Sequence, residues 1–232
     1  MNKKVAIVQS NYIPWKGYFD LIAAVDEFII FDDVQFTRRD WRNRNQIKTP
    51  NGNQWLTVPV QVKGMFFQKI SETKIANPLW FQDHWRALQQ NYGRAKFFNE
   101  TADWLKPIFF NQNYTYLSEL NLAIIKSICT FLNVTTLILN SSSFELENGK
   151  NERLLSICLQ ADANIYVSGP AAGTYLDTEM FKKVGIEVNW FNYECYLEYP
   201  QLWGAFNHHV SILDLLFNCG PNARHYMKLG KA

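Results

Sequence analysis

Short apolar runs alternate with stretches of helical periodicity along most of this chain. Buried strands are predicted where such runs stand between polar or turn residues, at residues 5–8, 27–31, 134–139, 165–167 and 186–190. Between the first two runs, apolar side chains recur at helical spacing over residues 15–25. A strand, a helix and a second strand in this order predict parallel strands joined by a right-handed crossover.

The middle of the chain interrupts this alternation. Asn51-Gly52 lies between two extended runs and predicts a β-hairpin within 44–62, with Pro59 placing the second arm at an edge or a bulge. Further helices are predicted at residues 77–92, 100–110, 114–132, 150–161, 177–184 and 209–218. The sequence therefore predicts a single α/β domain over residues 1–232, with a Rossmann-like parallel sheet, a β-hairpin and a helical insertion at about 77–132.

Polar side chains follow each of the first two predicted strands. Gln9 and Asn11 come after the first strand, and Asp32, Asp33 and Gln35 come after the second. In open α/β sheets, ligands bind at the carboxyl ends of the strands. We therefore expect these five residues to contribute to a functional site at that edge.

The loop from Asn11 to Tyr18 leads into the first predicted helix. Backbone N–H groups at a helix start, together with the helix dipole, favour a phosphate or a carboxylate. Gly17 would allow a ligand to approach the backbone closely, and Trp15 would stack on it. The alternative is a helix cap in which Gly17 only permits close packing of protein groups.

A second candidate is the arginine-rich segment around Trp41 and Asn43, with arginines at 38, 39, 42 and 44. Guanidinium groups bind phosphates through paired hydrogen bonds, and a tryptophan stacks on a base or a sugar. Arg42 and Arg44 would suit a nucleotide-sugar diphosphate. The alternative is a solvated loop whose arginines pair with nearby acids.

Two further groups could supply acid–base chemistry. Asp32 and Asp33 could orient a sugar hydroxyl or an amine, hold Mg²⁺ through water, or act as a base, although adjacent strand residues face opposite sides. Loop capping is their alternative role. His209, following His208, is a candidate base because imidazole titrates near neutrality. A structural histidine is the alternative for either one.

Composition limits the partners. The net charge is +2 and only 19% of residues are charged, which argues against a nucleic-acid partner. The aromatic content of 16% favours a ligand cleft or a protein interface, although core packing also uses such residues. The four cysteines form no CxxC pair, so no metal site is predicted. No apolar run is long enough for a signal peptide or a membrane span, and we expect a cytoplasmic protein.

The start of the chain resembles the nucleotidylyltransferase superfamily, which includes pantothenate synthetases. Their His-x-Gly-His motif falls on Trp15-Lys16-Gly17-Tyr18, where only the glycine matches, and their second phosphate loop falls on Ser168-Gly169-Pro170-Ala171, which has no basic residue. The resemblance implies a nucleotidylyltransferase-like sheet. It also implies an alternative function as an ATP- or CTP-dependent ligase.

The whole chain is similar to the WbqC-like family. The resemblance is carried by seven blocks in order, at residues 9–19, 31–36, 41–45, 55–60, 166–172, 199–202 and 211–220. They contain Ser168, Gly169, Tyr199 and Asp214, which are therefore further candidates for substrate binding. The resemblance implies a role in O-antigen or other bacterial surface-polysaccharide biosynthesis.

These observations lead to one main hypothesis. We expect an enzyme that transfers an acyl or aminoacyl group to a nucleotide-linked amino sugar and forms an amide. Asp33, His209 and Tyr18 are its candidate catalytic residues. The donor could be an acyl carrier protein or another activated acyl compound, and no cofactor is predicted apart from a possible Mg²⁺. A non-catalytic partner of the polysaccharide assembly machinery is the remaining alternative.

Overall fold

The structure is a computed structural model that describes residues 2–229. In chain order its strands are β1 (Lys4–Val8), β2 (Glu27–Ile30), β3 (Arg44–Thr49), β4 (Gly52–Thr57), β5 (Leu137–Asn140), β6 (Ile165–Ser168) and β7 (Glu187–Trp190). Its α-helices are α1 (Lys16–Ala23), α2 (Trp80–Tyr92), α3 (Phe98–Phe109), α4 (Leu117–Phe131), α5 (Lys150–Gln160), α6 (Thr178–Lys183) and α7 (Ile212–Cys219).

A five-stranded parallel sheet forms the centre of the molecule, in the order β5-β2-β1-β6-β7. In β1, Ala6 pairs with Phe28 of β2 on one side and Val5 pairs with Tyr166 of β6 on the other. The predicted Rossmann-like α/β fold is therefore confirmed. The strand order reverses at β1, since the chain proceeds to one side through β2 and β5 and to the other through β6 and β7.

Helices cover both faces of the sheet because the strands are apolar on both sides. Ala6 and Phe28 face a core shared with Phe19 of α1 and with the helices α2–α4 and α7. Alternate residues such as Val5 and Ile7 face a second core, shared with α5 and α6.

The hairpin is confirmed as a separate two-stranded antiparallel sheet of β3 and β4. Its turn contains Asn51, and Gly52 adopts φ of +99°, which glycine allows at little cost. The second arm ends at Thr57, before Pro59.

Several predicted boundaries are wrong by a few residues. The helix predicted from 77 begins at Trp80, because the Asn77 side chain accepts a hydrogen bond from the N–H of Leu79 in a preceding turn. The last helix, predicted from 209, begins at Ile212, because the Ser211 hydroxyl caps it by accepting from the N–H of Leu213. The segment 191–211 before it has no regular secondary structure. Among residues 2–229, no helix is both long and apolar enough to cross a membrane.

Candidate functional site

A pocket of about 280 Å³ lies beside the loop that joins β1 to α1. It is lined by Asn11, Pro14, Trp15, Trp41, Asn45, His209 and Val210. The loop after β1 borders the point where the strand order reverses, which is the usual ligand site of open α/β sheets. Three segments that are distant in sequence meet here, and four of the predicted site residues are among the lining: Asn11, Trp15, Trp41 and His209.

Trp15 forms one wall of the pocket and is held by other rings. Its ring centroid lies 5.3 Å from that of Tyr193 and 5.8 Å from that of Tyr196. Its indole also folds over Gly17, where an added Cβ would lie 2.6 Å from Cη2 of Trp15. Gly17 is therefore in close contact with a protein side chain, as in the packing alternative.

Trp41 forms another wall as the outer member of an aromatic stack, which we define as Trp41, Trp55 and Arg44. The two indole centroids are 5.4 Å apart, and the Arg44 guanidinium lies 4.1 Å from the Trp55 ring. Trp41 is 44% exposed. A guanidinium over an indole is a favourable cation–π contact, so Arg44 stabilises Trp55, and Trp55 in turn packs against Trp41.

The β1–α1 loop has an unusual backbone conformation at Ile13, whose φ is +37°. A β-branched residue with positive φ is strained. The conformation is fixed by Asn45, whose Nδ2 donates to the carbonyls of Tyr12 (3.2 Å) and Ile13 (2.9 Å). The N–H of Ile212 also donates to the Pro14 carbonyl at 2.9 Å. Sequence reasoning did not single out Asn45, although it ends the block 41–45.

Asn11 lines the pocket and carries a polar atom that the protein leaves without a partner. Its Oδ1 is buried and has no hydrogen-bond partner among the described residues. Because this oxygen is closed off from solvent, it would accept a hydrogen bond from a ligand only after the Asn11 side chain turns toward the pocket.

The predicted arginines already make contacts within the protein. Arg42 donates from Nη1 to the Gln9 carbonyl at 3.4 Å and lies 3.5 Å from Asp40. Arg44 donates from Nη2 to the carbonyl of Arg39 at 2.6 Å. Between them, Asn43 is buried and donates to the Val58 carbonyl, which ties the segment to the hairpin.

Asp32 caps the loop after β1, which is the alternative role given for it in the sequence analysis. Its two carboxylate oxygens accept from the N–H of Ser10 (2.8 Å) and from the Ser10 hydroxyl (2.7 Å). The side chain is buried, and burial raises the pKa of its carboxyl above the usual range. These contacts join the ends of β1 and β2.

Asp33 faces a different depression, of about 180 Å³, at the ends of β2 and β5. Its carboxylate accepts from the Ser141 hydroxyl at 2.7 Å and is 3.5 Å from Nζ of Lys69. This depression shares no lining residue with the pocket that contains His209. The structure therefore does not bring the two candidate bases together.

Tyr18 is buried, and its hydroxyl donates to the Gln9 carbonyl at 3.1 Å. Burial raises the pKa of this hydroxyl well above its ordinary value, with the nearby Asp32 charge adding to the effect. Tyr18 is therefore a fixed hydrogen-bond donor at neutral pH.

Gln35 is exposed and donates to the Phe66 carbonyl at 2.8 Å, outside the pocket.

Ser168 ends β6 and Gly169 follows it, on the other side of the strand-order reversal. Ser168 is buried, and its carbonyl accepts from the N–H of Phe191 at 2.8 Å. Gly169 lies next to Tyr193, the ring that contacts Trp15. This loop therefore reaches the pocket through Tyr193, without lining it.

Tyr199 and Asp214 belong to a buried polar network. Asp214 accepts from the Tyr92 hydroxyl and from Nε2 of Gln201, each at 2.8 Å, and Gln201 also donates to Tyr199 at 3.1 Å. Burial raises the pKa of the Asp214 carboxyl. Neither predicted residue lines the pocket, and both connect the segment 191–211 to the core.

His209 is exposed, and its backbone N–H is held by Oδ1 of Asn207 at 2.8 Å. His208 instead packs edge-on against Phe206 with a centroid separation of 4.5 Å. Burial and the positive charge of Lys16 lower the pKa of His208. Of the two histidines, His209 is the one that lines the pocket.

Two buried residues bind segments next to the pocket-lining ones and were not identified from the sequence. His84 accepts from the Tyr12 hydroxyl at 2.7 Å and donates from Nε2 to the Thr57 carbonyl at 3.2 Å, and burial lowers its pKa to about 4. Lys16 donates to the carbonyls of Leu197 and Tyr226, and burial lowers its pKa to about 8. Both lie in amphipathic helices, where a polar residue on the buried side is the only available signal.

The structure identifies no metal centre among residues 2–229, where no three His, Cys, Asp or Glu side chains are grouped closely enough to hold an ion. The thiol of Cys219 is buried, and burial raises its pKa to about 11.

The fold and the pocket together define a Rossmann-like α/β protein with a pocket at the carboxyl edge of its sheet. The chain belongs to the WbqC-like protein family, whose sequence profile matches residues 9–226. It is 58% identical over 226 residues to the uncharacterized protein Rv1507c of Mycobacterium tuberculosis (strain ATCC 25618 / H37Rv), covering 97% of this chain and 98% of that protein. No solved structure is a significant match.

Proposed function

We propose that this chain is a transferase of surface-polysaccharide biosynthesis, such as O-antigen biosynthesis, that forms an amide on a nucleotide-linked amino sugar. The observation that carries the proposal is the pocket, which is lined by Trp15, Trp41 and His209 from three different segments of the chain. Membership of the WbqC-like family supports the biosynthetic role.

The lining suits a sugar ring that carries an amine. The faces of Trp15 and Trp41 bind the apolar side of a ring, and Oδ1 of Asn11 accepts from a hydroxyl or an amine once its side chain turns toward the ligand. A volume of about 280 Å³ is near the lower limit for small-molecule pockets, so it would enclose only the reacting part of the ligand. The diphosphate and base would extend along the segment of Arg42 and Arg44.

In the proposed reaction the neutral amine attacks the carbonyl carbon of an activated acyl or aminoacyl donor. A C–N bond forms, and the bond from the carbonyl carbon to the leaving group breaks with its electron pair. His209 accepts the proton that the amine loses and returns it to the leaving group. Asp33 is not used in this scheme because it faces the other depression.

Calorimetric titration with nucleotide-linked amino sugars tests the binding step. Trp41→Ala is expected to weaken binding by roughly tenfold, since covering about 50 Å² of apolar sugar surface with an indole contributes on the order of 1 kcal/mol. Phe110→Ala is a suitable control because Phe110 is similarly exposed and lies outside the pocket. Equal effects of the two substitutions would count against the pocket as the binding site.

An assay for amide formation with the same sugars and with acyl-thioester or aminoacyl donors tests the reaction. His209→Ala is expected to lower kcat by about a hundredfold or more while leaving sugar affinity nearly unchanged. Binding without any amide product would support a non-catalytic role in polysaccharide assembly. Binding of ATP or CTP with Mg²⁺, in place of the sugar, would support the nucleotidylyltransferase-like alternative.

A further inference from the structure

The loop of residues 61–69 exposes three consecutive apolar side chains at its tip. Met65 is 46% exposed, Phe66 is 68% exposed and Phe67 is 83% exposed. Exposing two neighbouring phenylalanines to water is unfavourable, since each would gain free energy from burial. Packing within the chain does not account for this exposure, which is typical of a surface that binds a partner or a membrane.

Hydrogen bonds from other side chains fix this loop. Nε2 of Gln35 donates to the Phe66 carbonyl at 2.8 Å, and Nη2 of Arg38 donates to the Val62 carbonyl at 2.7 Å. Gly64 turns the chain with φ of +76°, and the two phenylalanine rings meet edge to face at 5.0 Å. The protein therefore holds its apolar tip in one conformation and presents it outward.

Basic residues lie in this loop and on the segment beside it. The loop carries Lys63 and Lys69 and no acidic residue, and exposed Arg38 and Arg39 lie on the segment packed beside it. Lys69 is ion-paired with Asp33, and its N–H donates to the exposed Glu72, whereas Lys63 in the loop and Arg38 beside it have no ion pair among the described residues. Each cation near an anionic membrane surface contributes about 1 kcal/mol to binding.

We infer that the loop of residues 61–69 docks the protein on an anionic lipid surface. Aromatic side chains inserted at the boundary between headgroups and acyl chains, with basic residues among the headgroups, are the pattern of interfacial binding. A protein partner fits less well, because the apolar area is confined to three side chains ringed by charged and amide groups, whereas stable protein interfaces bury about 800 Å² on each side. The inference does not depend on the proposed function, because none of these residues lines the pocket.

Sedimentation of the full chain with vesicles tests this inference. The vesicles consist either of phosphatidylcholine alone or of phosphatidylcholine with roughly one-third phosphatidylglycerol. We expect binding to the anionic vesicles that falls as salt is raised, and weak binding to the neutral ones. Phe66→Ser combined with Phe67→Ser should reduce the partition coefficient roughly tenfold or more.

A lysine variant tests the electrostatic part of the inference, and two substitutions at exposed positions elsewhere serve as controls. Lys63→Gln should reduce binding to the anionic vesicles about fivefold, which is the effect of 1 kcal/mol, whereas Lys183→Gln on α6 should have little effect. Leu159→Ser on α5 removes an exposed apolar side chain elsewhere and should also have little effect. An unchanged melting temperature would show that the double variant is folded.

The inference is overturned if the wild-type chain does not sediment with anionic vesicles. It is also overturned if the double phenylalanine variant binds them as well as the Leu159→Ser control does. A tip that binds an acidic protein would give the first of these results, while a purely electrostatic surface would give the second.

Discussion

At the scale of single residues, the β1–α1 loop shows how an unfavourable conformation is maintained. Ile13 has positive φ, and the Asn45 side chain satisfies two carbonyls of the same turn. A buried amide that bonds two backbone acceptors stabilises a geometry that the loop sequence alone disfavours. The positions of Pro14 and Trp15 in the pocket depend on this turn.

Asn45→Ala should therefore lower the free energy of unfolding by about 1–3 kcal/mol, because it leaves the carbonyls of Tyr12 and Ile13 without their donor. Denaturant titration measures the change. Asn53→Ala, at an exposed position of the same hairpin, should change stability by about 0.5 kcal/mol or less. Similar losses for both variants would contradict the role given to Asn45.

Gly17→Ala should displace the Trp15 indole, since the added Cβ overlaps that ring. We expect a loss of about 1–3 kcal/mol in stability, which is typical of overpacking, and a change in the near-ultraviolet circular dichroism of Trp15. Gly173→Ala is the matched control, because its Cβ would meet the nearest atom, on Trp190, at an ordinary 3.9 Å. A Gly17→Ala protein as stable as this control would show that the Trp15 indole does not lie against Gly17.

At the scale of elements, the hairpin of β3 and β4 supplies the support for one wall of the pocket. Trp55 lies on β4, Arg44 begins β3, and Trp41 precedes them in the chain. The sequence predicted the hairpin from its Asn-Gly turn, since that signal is local. It could not show that Trp55 would contact Trp41, because the pairing register and side-chain directions come from the folded structure.

Trp55→Ala should weaken binding in the pocket about two- to tenfold without removing a lining residue, since an aromatic pair contributes about 0.5–1.5 kcal/mol. Two indoles this close should give an exciton-coupled band in the far-ultraviolet circular dichroism spectrum. That band should disappear equally in Trp55→Ala and Trp41→Ala. Trp55→Phe should retain most of the affinity. A signal that survives in Trp55→Ala would show that the two rings are not paired in solution.

At the scale of the whole molecule, the fold was more predictable than the site. Apolar runs and their order along the chain identify a parallel sheet, because burial on both faces leaves a clear pattern. The site residues were harder to predict, because the position of Asp32 and Asp33 after a strand and the family blocks that contain Tyr199 and Asp214 do not show what each side chain contacts. The structure places Asp32, Tyr199 and Asp214 in buried networks and Asp33 in a second depression. Their partners, such as Ser10 and Tyr92, are distant in sequence and leave no local signal.

The stability of the whole molecule should depend on pH through His84. In the folded protein its pKa is about 4, below the ordinary value of 6.5. The contribution of neutral His84 to the free energy of unfolding is therefore complete above pH 6.5 and is lost as the pH falls toward 4. The loss should amount to about 3 kcal/mol, at 1.36 kcal/mol for each pKa unit. The buried carboxyls of Asp32 and Asp214 have raised pKa values, so their contributions act in the opposite direction.

Comparison of the wild type with His84→Gln isolates this effect from the carboxyls. Stability measured by denaturant titration at several pH values should differ in slope between the two proteins only from about pH 6.5 down to about pH 4. Parallel curves across that range would mean that His84 titrates normally in the folded protein.

The central position of β1 has a consequence for synthesis on the ribosome. This strand is made first, and one of its edges pairs with β2 soon afterwards, but its other edge pairs with β6, which begins at Ile165. Until β6 emerges, an apolar strand keeps a row of unpaired backbone groups available to other chains. The nascent chain is therefore expected to need protection from aggregation until β6 has emerged, and the pocket cannot close until Ile212 reaches the Pro14 carbonyl.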